Sequence, residues 1–250
     1  MRQLPSLSSL TTATLDRGSV VRIQLTRAAL DAQMLRDLLA VIAAVREASS
    51  VRVLVIAGGS DDFCLGGDRQ ELDRLITQDP SGAEIRRLGE SARLVFSGLA
   101  ELDAVTIARV HGRAVGAGFA LAVACDLRVG AHDSLYRLPE VALGLPGTWG
   151  GAAARLISEI GPAATRELLL TGRSVDAETA LRMAVLHRAT PAAELDEAVS
   201  QWIRPLLRRP TSAVRTTKRV LAAYEASARM ADLTRLEGHL MAAEIGFSKR

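Results

Sequence analysis

The 250 residues are 48% hydrophobic and 24% charged, enough apolar material for one large core and the composition of neither a fibrous nor a disordered chain. Aromatic residues make up only 3%, so the core must rest mainly on Ala, Leu and Val. The formal net charge of +3 comes from 31 Lys plus Arg against 28 Asp plus Glu. The two signs alternate along most helical stretches and do not gather on one face between stacking aromatics, which argues against a nucleic-acid partner and suits a small phosphate-bearing ligand.

The N-terminal stretch MRQLPSLSSLTTATL has no apolar run long enough for a signal peptide or membrane span, so a cytoplasmic protein without membrane contact is expected. VVRIQL (Val20 to Leu25) reads as a strand, Asp31 to Ala48 as a helix by its period, and VRVLVIAG as a second strand, a βαβ rhythm. After a loop from Gly58 to Asp68 come helical stretches at Arg69 to Gln78 and Ala83 to Leu102, then a third strand, VTIARV. Glycines at 112, 116 and 118 interrupt the chain, and Phe119 to Ala124, free of polar side chains, reads as a buried helix. LRVGA and SLYRL read as short strands, after which the sheet is expected to end. From Gly150 the signals are helical: GGAAARLISEI, PAATRELLL and AETALRMAVL, with Gly161 and Gly172 as stops and Ser174 or Asp176 as caps. Pro191, Pro205 and Pro210 punctuate two further amphipathic stretches ending near Ile245.

Several kinds of chemistry are missing their residues. The sequence has no G-x-x-x-x-G-K-S/T, no H-E-x-x-H and no G-x-S-x-G, and GRAVGAGFA has Leu121 where a dinucleotide fingerprint needs its third glycine. Cys64 and Cys125 form no C-x-x-C pair and read as reduced thiols; His111, His132, His187 and His239 are dispersed, so no metal site is expected. What remains is two glycine-rich loops after strands, IAGGSDDFCLGGD (56 to 68) and VHGRAVGAG (110 to 118). Glycine admits positive φ and close ligand approach, so two such loops meeting in space can aim two backbone N–H donors at one oxyanion. The plainer reading is a pair of tight strand-to-helix turns. A third element, LYRLPEVALGLPGTWGG (135 to 151), isolates Glu140 among apolar residues after a proline. If partly buried, that carboxyl would have a raised pKa and suit acid/base work near neutral pH, whereas a salt-bridged strand-end Glu would do none.

These segments carry a specific resemblance. FCLGGDRQEL resembles the F-C/S/A-x-G-A/G-D-L/I-x-E-L/M segment of the enoyl-CoA hydratase/isomerase (crotonase) family. VHGRAVGAGFALAVACDLRVGA and LPEVALGLPGTWGGAAARL resemble its second glycine segment and its P-E-x-x-x-G segment, in the family's order and spacing. The likeness runs from about Val20 through TGRSVDAETALRMAVLHRA to PTSAVRTTKRVL. It implies an α/β fold, a crotonase-like spiral of ββα units, with residues 1–190 holding an acyl-thioester pocket and a helical region at 191–250 that assembles homotrimers or hexamers. By position it gives Gly67 and Ala117 the two N–H donors to the thioester carbonyl and Glu140 the acid/base role. It sets Leu65, Gly66 and Asp68 along the acyl or pantetheine path, Arg69, Arg113, Gly116, Pro139 and Thr148 at neighbouring pocket positions, and Arg27 and Ala28 beside the carrier nucleotide. The implied ligand is an acyl-CoA or acyl-carrier-protein thioester, with CoA as part of the substrate and no separate cofactor.

The departures narrow the chemistry. The family's hydratases carry a second glutamate in the helix opened by the second glycine loop, and here that position is Ala120. A single carboxylate can take a proton from one carbon and return it to another, which favours an enoyl-CoA isomerase over a hydratase or a carbon–carbon bond-forming or bond-cleaving relative. Asp62, Asp68, Glu71 and Glu90 are the candidates for a second group, though surface or capping roles suit each better. The family's L-N-R-P-x-x-x-N-A turn is shortened to LTRAALDA, and the sequence ends at EIGFSKR where relatives continue, leaving a carrier protein as donor, or a non-catalytic thioester-binding homologue, as competing expectations.

Overall fold

The computed structural model describes residues 7–59, 61–79, 81–147, 152–227 and 234–248. After β1 (Leu10–Leu15) the chain repeats one unit four times: a long strand, a short strand, then helix. The first unit is β2 (Val20–Leu25), β3 (Ala29–Leu30) and α1 (Ala32–Glu47); the second is β4 (Val53–Ala57), β5 (Gly66–Gly67), α2 (Arg69–Gln78) and α3 (Ala83–Glu101). The third is β6 (Val105–Val110), β7 (Arg113–Val115) and α4 (Ala117–Val123). The fourth is β8 (Leu127–Ala131), β9 (Leu135–Arg137), a 3-10 turn (Glu140–Leu143) and α5 (Ala152–Thr171). Then follow β10 (Val175–Asp176), α6 (Ala177–Arg182), β11 (Arg188–Thr190), α7 (Leu195–Arg208), α8 (Thr211–Ser227) and α9 (Thr234–Ser248). This is the ββα spiral that the sequence motifs imply.

The long strands form one sheet in the order β1-β2-β4-β6-β8-β11, parallel except for the β1–β2 pair. The short strands split off into a β10-β9-β7 sheet and a β3-β5 pair. The central strands are apolar on both faces because both are covered. Leu54, Ile56, Ala108 and Val110 face the main core with α1 and α3, while Val53, Val55, Val105 and Ile107 face Leu195, Val199 and Ile203 of α7. Each of those three α7 side chains contributes on the order of 1.5–3 kcal/mol by leaving water. Helix starts follow the expected chemistry, with Asp31, Asp68 and Asp176 each accepting a backbone N–H three residues on.

Two expectations are corrected and one further strand is found. The sheet does not end at SLYRL: β11 joins β8 in parallel, and its three residues, RAT, are too few to show any alternation. LTTATL forms β1 on the edge of the sheet, its Thr residues fitting a strand open to solvent on one side. Pro205 lies inside α7 and does not end it. The Gly161 stop does appear, as a kink within α5 at φ +81°. Among the described residues no helix is long and apolar enough to cross a membrane.

Candidate active site

The first glycine loop is laid on the second by backbone bonds. Phe63 N–H donates to the His111 carbonyl at 2.9 Å, Cys64 N–H to that of Arg113 at 3.1 Å, and Val115 N–H returns to that of Cys64 at 2.9 Å. Glycine is required where the strands run this close: a Cβ on Gly118 would sit 2.2 Å from the Cys64 carbonyl oxygen, and one on Gly66, at φ +94°, 2.9 Å from that of Val115. Ala117 keeps a negative φ and opens α4, so the helix itself cannot pair its N–H. A methyl group is therefore tolerated at this position.

The third segment is tied in by Gly116 N–H, which donates to the Arg137 carbonyl at 2.9 Å just before the chain turns through Pro139 into Glu140. Glu140 is 5% exposed, and its Oε2 has no hydrogen-bond partner. Burial pushes its pKa up, while its own backbone N–H pulls weakly the other way. Its Oε1 lies so near Gly116 (φ +54°) that a Cβ there would approach to 2.9 Å.

The three segments enclose a cavity of about 410 Å³. Leu65, Gly66 and Gly67 form one wall, Val115, Gly116 and Ala117 a second, and Pro139, Glu140 and the 143–145 turn a third. The sequence reading missed the rest of the lining: Leu72, Asp73 and Ile76 of α2, and Met241 of α9. With Arg69, the α2 positions fall at i, i+3, i+4 and i+7, one helix face, which was the available signal. Met241 had none, because only the packing of α9 on α3 brings it there.

The remaining candidates are scattered. Asp68 and Arg113 line an adjoining groove of about 630 Å³ that shares Leu65, Gly67, Arg69 and Val115 with the cavity. Asp68 caps α2, and Arg113 holds Asp62 bidentately at 2.7 and 2.8 Å, keeping that carboxyl below the usual range. Arg27 bonds Ser9 and Asp31 and lies outside both walls; Ala28 reaches the first loop only through its carbonyl, which accepts Leu65 N–H. Thr148 lies outside the described residues, as does Trp149. None of the second-group candidates lines the cavity: Glu71 accepts Ala32 N–H, Glu90 pairs with Arg93, and Asp62 and Asp68 are committed as above. Ala120 is buried in α4. Among the described residues no three His, Cys, Asp or Glu side chains gather as a metal site would need.

Residues 16–245 match the profile of a family described as enoyl-CoA hydratase/isomerase. The chain belongs to that family. "Probable enoyl-CoA hydratase 2, mitochondrial" of Arabidopsis thaliana is 30% identical over 198 residues, 78% of this chain and 64% of that protein, so the match spans less than two thirds of that relative's length. A protein named crotonyl-CoA hydratase from Syntrophomonas wolfei is 30% identical over 76% of this chain and 71% of its own. The crystal structure of an enoyl-CoA hydratase from Bacillus anthracis superposes with a TM-score of 0.80 at 26% identity, covering 97% of this chain and 92% of that one. Membership in the enoyl-CoA hydratase/isomerase family gives the paired glycine loops and the buried carboxyl a common context.

Proposed function

We propose that this chain acts on an acyl thioester of coenzyme A or a carrier protein by stabilising its enolate, as an isomerase that moves a double bond. The observation carrying this reading is the unpartnered, buried Oε2 of Glu140 in a cavity whose walls include the backbone of Gly67 and Ala117. In this reading Glu140 takes the C2 proton of a 3-enoyl thioester, negative charge builds on the carbonyl oxygen, and the two amides stabilise it. Glu140 then returns the proton to C4, leaving the 2-enoyl product and the carboxylate restored. Preorganised donors of this kind contribute about 2.7–4 kcal/mol each to such a transition state. The reading needs no cofactor beyond the carrier in the substrate.

Hydration is the second reading, supported by the names of the relatives and by Asp73, a second carboxylate lining the same cavity. Offering 3-enoyl-CoA and 2-enoyl-CoA separately, and following double-bond migration, hydration and deuterium entry at the α-carbon, separates the two. Saturable binding with no deuterium uptake would favour the non-catalytic homologue instead. The proposal extends to a cytoplasmic setting, supported by two buried unpaired thiols. It also extends to a catalytic body at 1–190 with a region at 191–250 serving assembly into a homotrimer or hexamer, which sedimentation measures directly.

A further inference from the structure

The α2 face that lines the cavity is apolar at Leu72 and Ile76 but begins with a guanidinium, Arg69, two residues past Gly67. Arg69 is exposed to both the cavity and the adjoining groove, and among the described residues nothing hydrogen-bonds or ion-pairs with it. Its neighbours are committed elsewhere. Asp68 caps the helix, Glu71 accepts Ala32 N–H, and Asp73, one turn along, makes no ion pair with it. The other groove arginines differ: Arg113 is held by Asp62, and Arg137 donates Nε to the Gly172 carbonyl at 2.7 Å. A planar fork of five donors beside the apolar side chains of Leu72 and Ile76 matches a carboxylate.

We propose that Arg69 selects the substrate class: a thioester of a short dicarboxylic acid, whose distal carboxylate pairs with this guanidinium. This rests on the reading of Glu140 and the two amides as a thioester site. Length is limited by the helix. Arg69 and Ile76 stand roughly 10 Å apart along the α2 axis, with Arg69 at the end nearest the oxyanion loop. A carboxylate a few carbons from the thioester meets Arg69, whereas one carried further out meets Asp73, which repels it.

The test measures binding of two saturated thioesters, freshly prepared succinyl and butyryl, each on CoA and on phosphate-free pantetheine. Wild type is expected to bind the succinyl thioester at least tenfold more tightly on both carriers. Arg69→Leu is expected to bring the two within about twofold, and Arg69→Lys to keep part of the preference. Unchanged melting temperatures show that the variants are folded. The proposal is overturned if wild type shows no acyl preference. It is equally overturned if Arg69→Leu weakens both acyl groups alike on CoA and neither on pantetheine, which would assign Arg69 to the carrier's phosphates. Deuterium exchange at the butyryl α-carbon, in wild type and Glu140→Gln, reports on the underlying enzymatic reading separately, since the binding preference does not depend on turnover.

Discussion

Glu140→Gln separates catalytic role from stability, because the carboxyl is costly to the fold where the chemistry wants it. Gln keeps the shape and removes both the charge and the capacity to carry a proton back and forth. Positioned acid/base groups are worth about 10²–10⁴ in rate, so isomerisation and α-proton exchange should fall by at least about 100-fold. Stability should move the opposite way. Burial raises the Glu140 pKa, so between its ordinary and its raised value the folded protein holds a proton that the unfolded chain has lost. Stability contributed by the wild-type group therefore falls as pH rises through that window. Above it, a carboxylate with one buried oxygen unpartnered costs on the order of 1–3 kcal/mol, much of which the neutral amide avoids. At pH 8 the variant should melt higher, by about 2–4 °C for each kcal/mol in a chain of this size. At the acid end of the stable range, where wild type is protonated, the gain should vanish. Thermal unfolding at both pH values, paired with deuterium exchange into an acyl-CoA, checks this. A variant that exchanges as fast as wild type, or gains more stability at acid pH than at pH 8, refutes the reasoning.

Gly116→Ala forces a Cβ to 2.9 Å from Glu140 Oε1 at φ +54° and ψ −123°. The backbone strain should cost about 1–3 kcal/mol, and a carboxylate displaced by about 1 Å about 100-fold in rate; a variant with a rate within threefold of wild type would show the contact to be unimportant. Lys218, on the buried face of α8, donates to Asp126 at 2.6 Å and to the Ala104 carbonyl at 2.8 Å. Lys218→Met removes the cation from Asp126, which keeps its bonds from the Thr106 N–H and hydroxyl, and should lower unfolding stability by about 1–3 kcal/mol, read from the urea midpoint. Burial pushes both Cys64 and Cys125 up to about 12, so a thiol reagent at pH 8 should leave the folded protein unmodified and titrate two thiols in urea.

The sequence alone determined the parts whose signal is local. Apolar runs such as VLVIA and VTIARV became central strands because a strand covered on both faces needs no polar alternation. Asp31, Asp68 and Asp176 marked helix starts because a cap acts within one turn. The glycine loops and Glu140 were legible because their residue types fit so few other roles. Tertiary structure decided what depends on distant partners. The three residues of β11 are a strand only beside β8, and Met241 meets the cavity only through the packing of α9 on α3. Asp62 and Arg113, 51 residues apart, neutralise each other, while Arg69, equally charged on paper, keeps its charge free. Charge and hydrogen-bonding capacity are written residue by residue, but whether a partner has already used them is settled only when the folded chain brings the groups together.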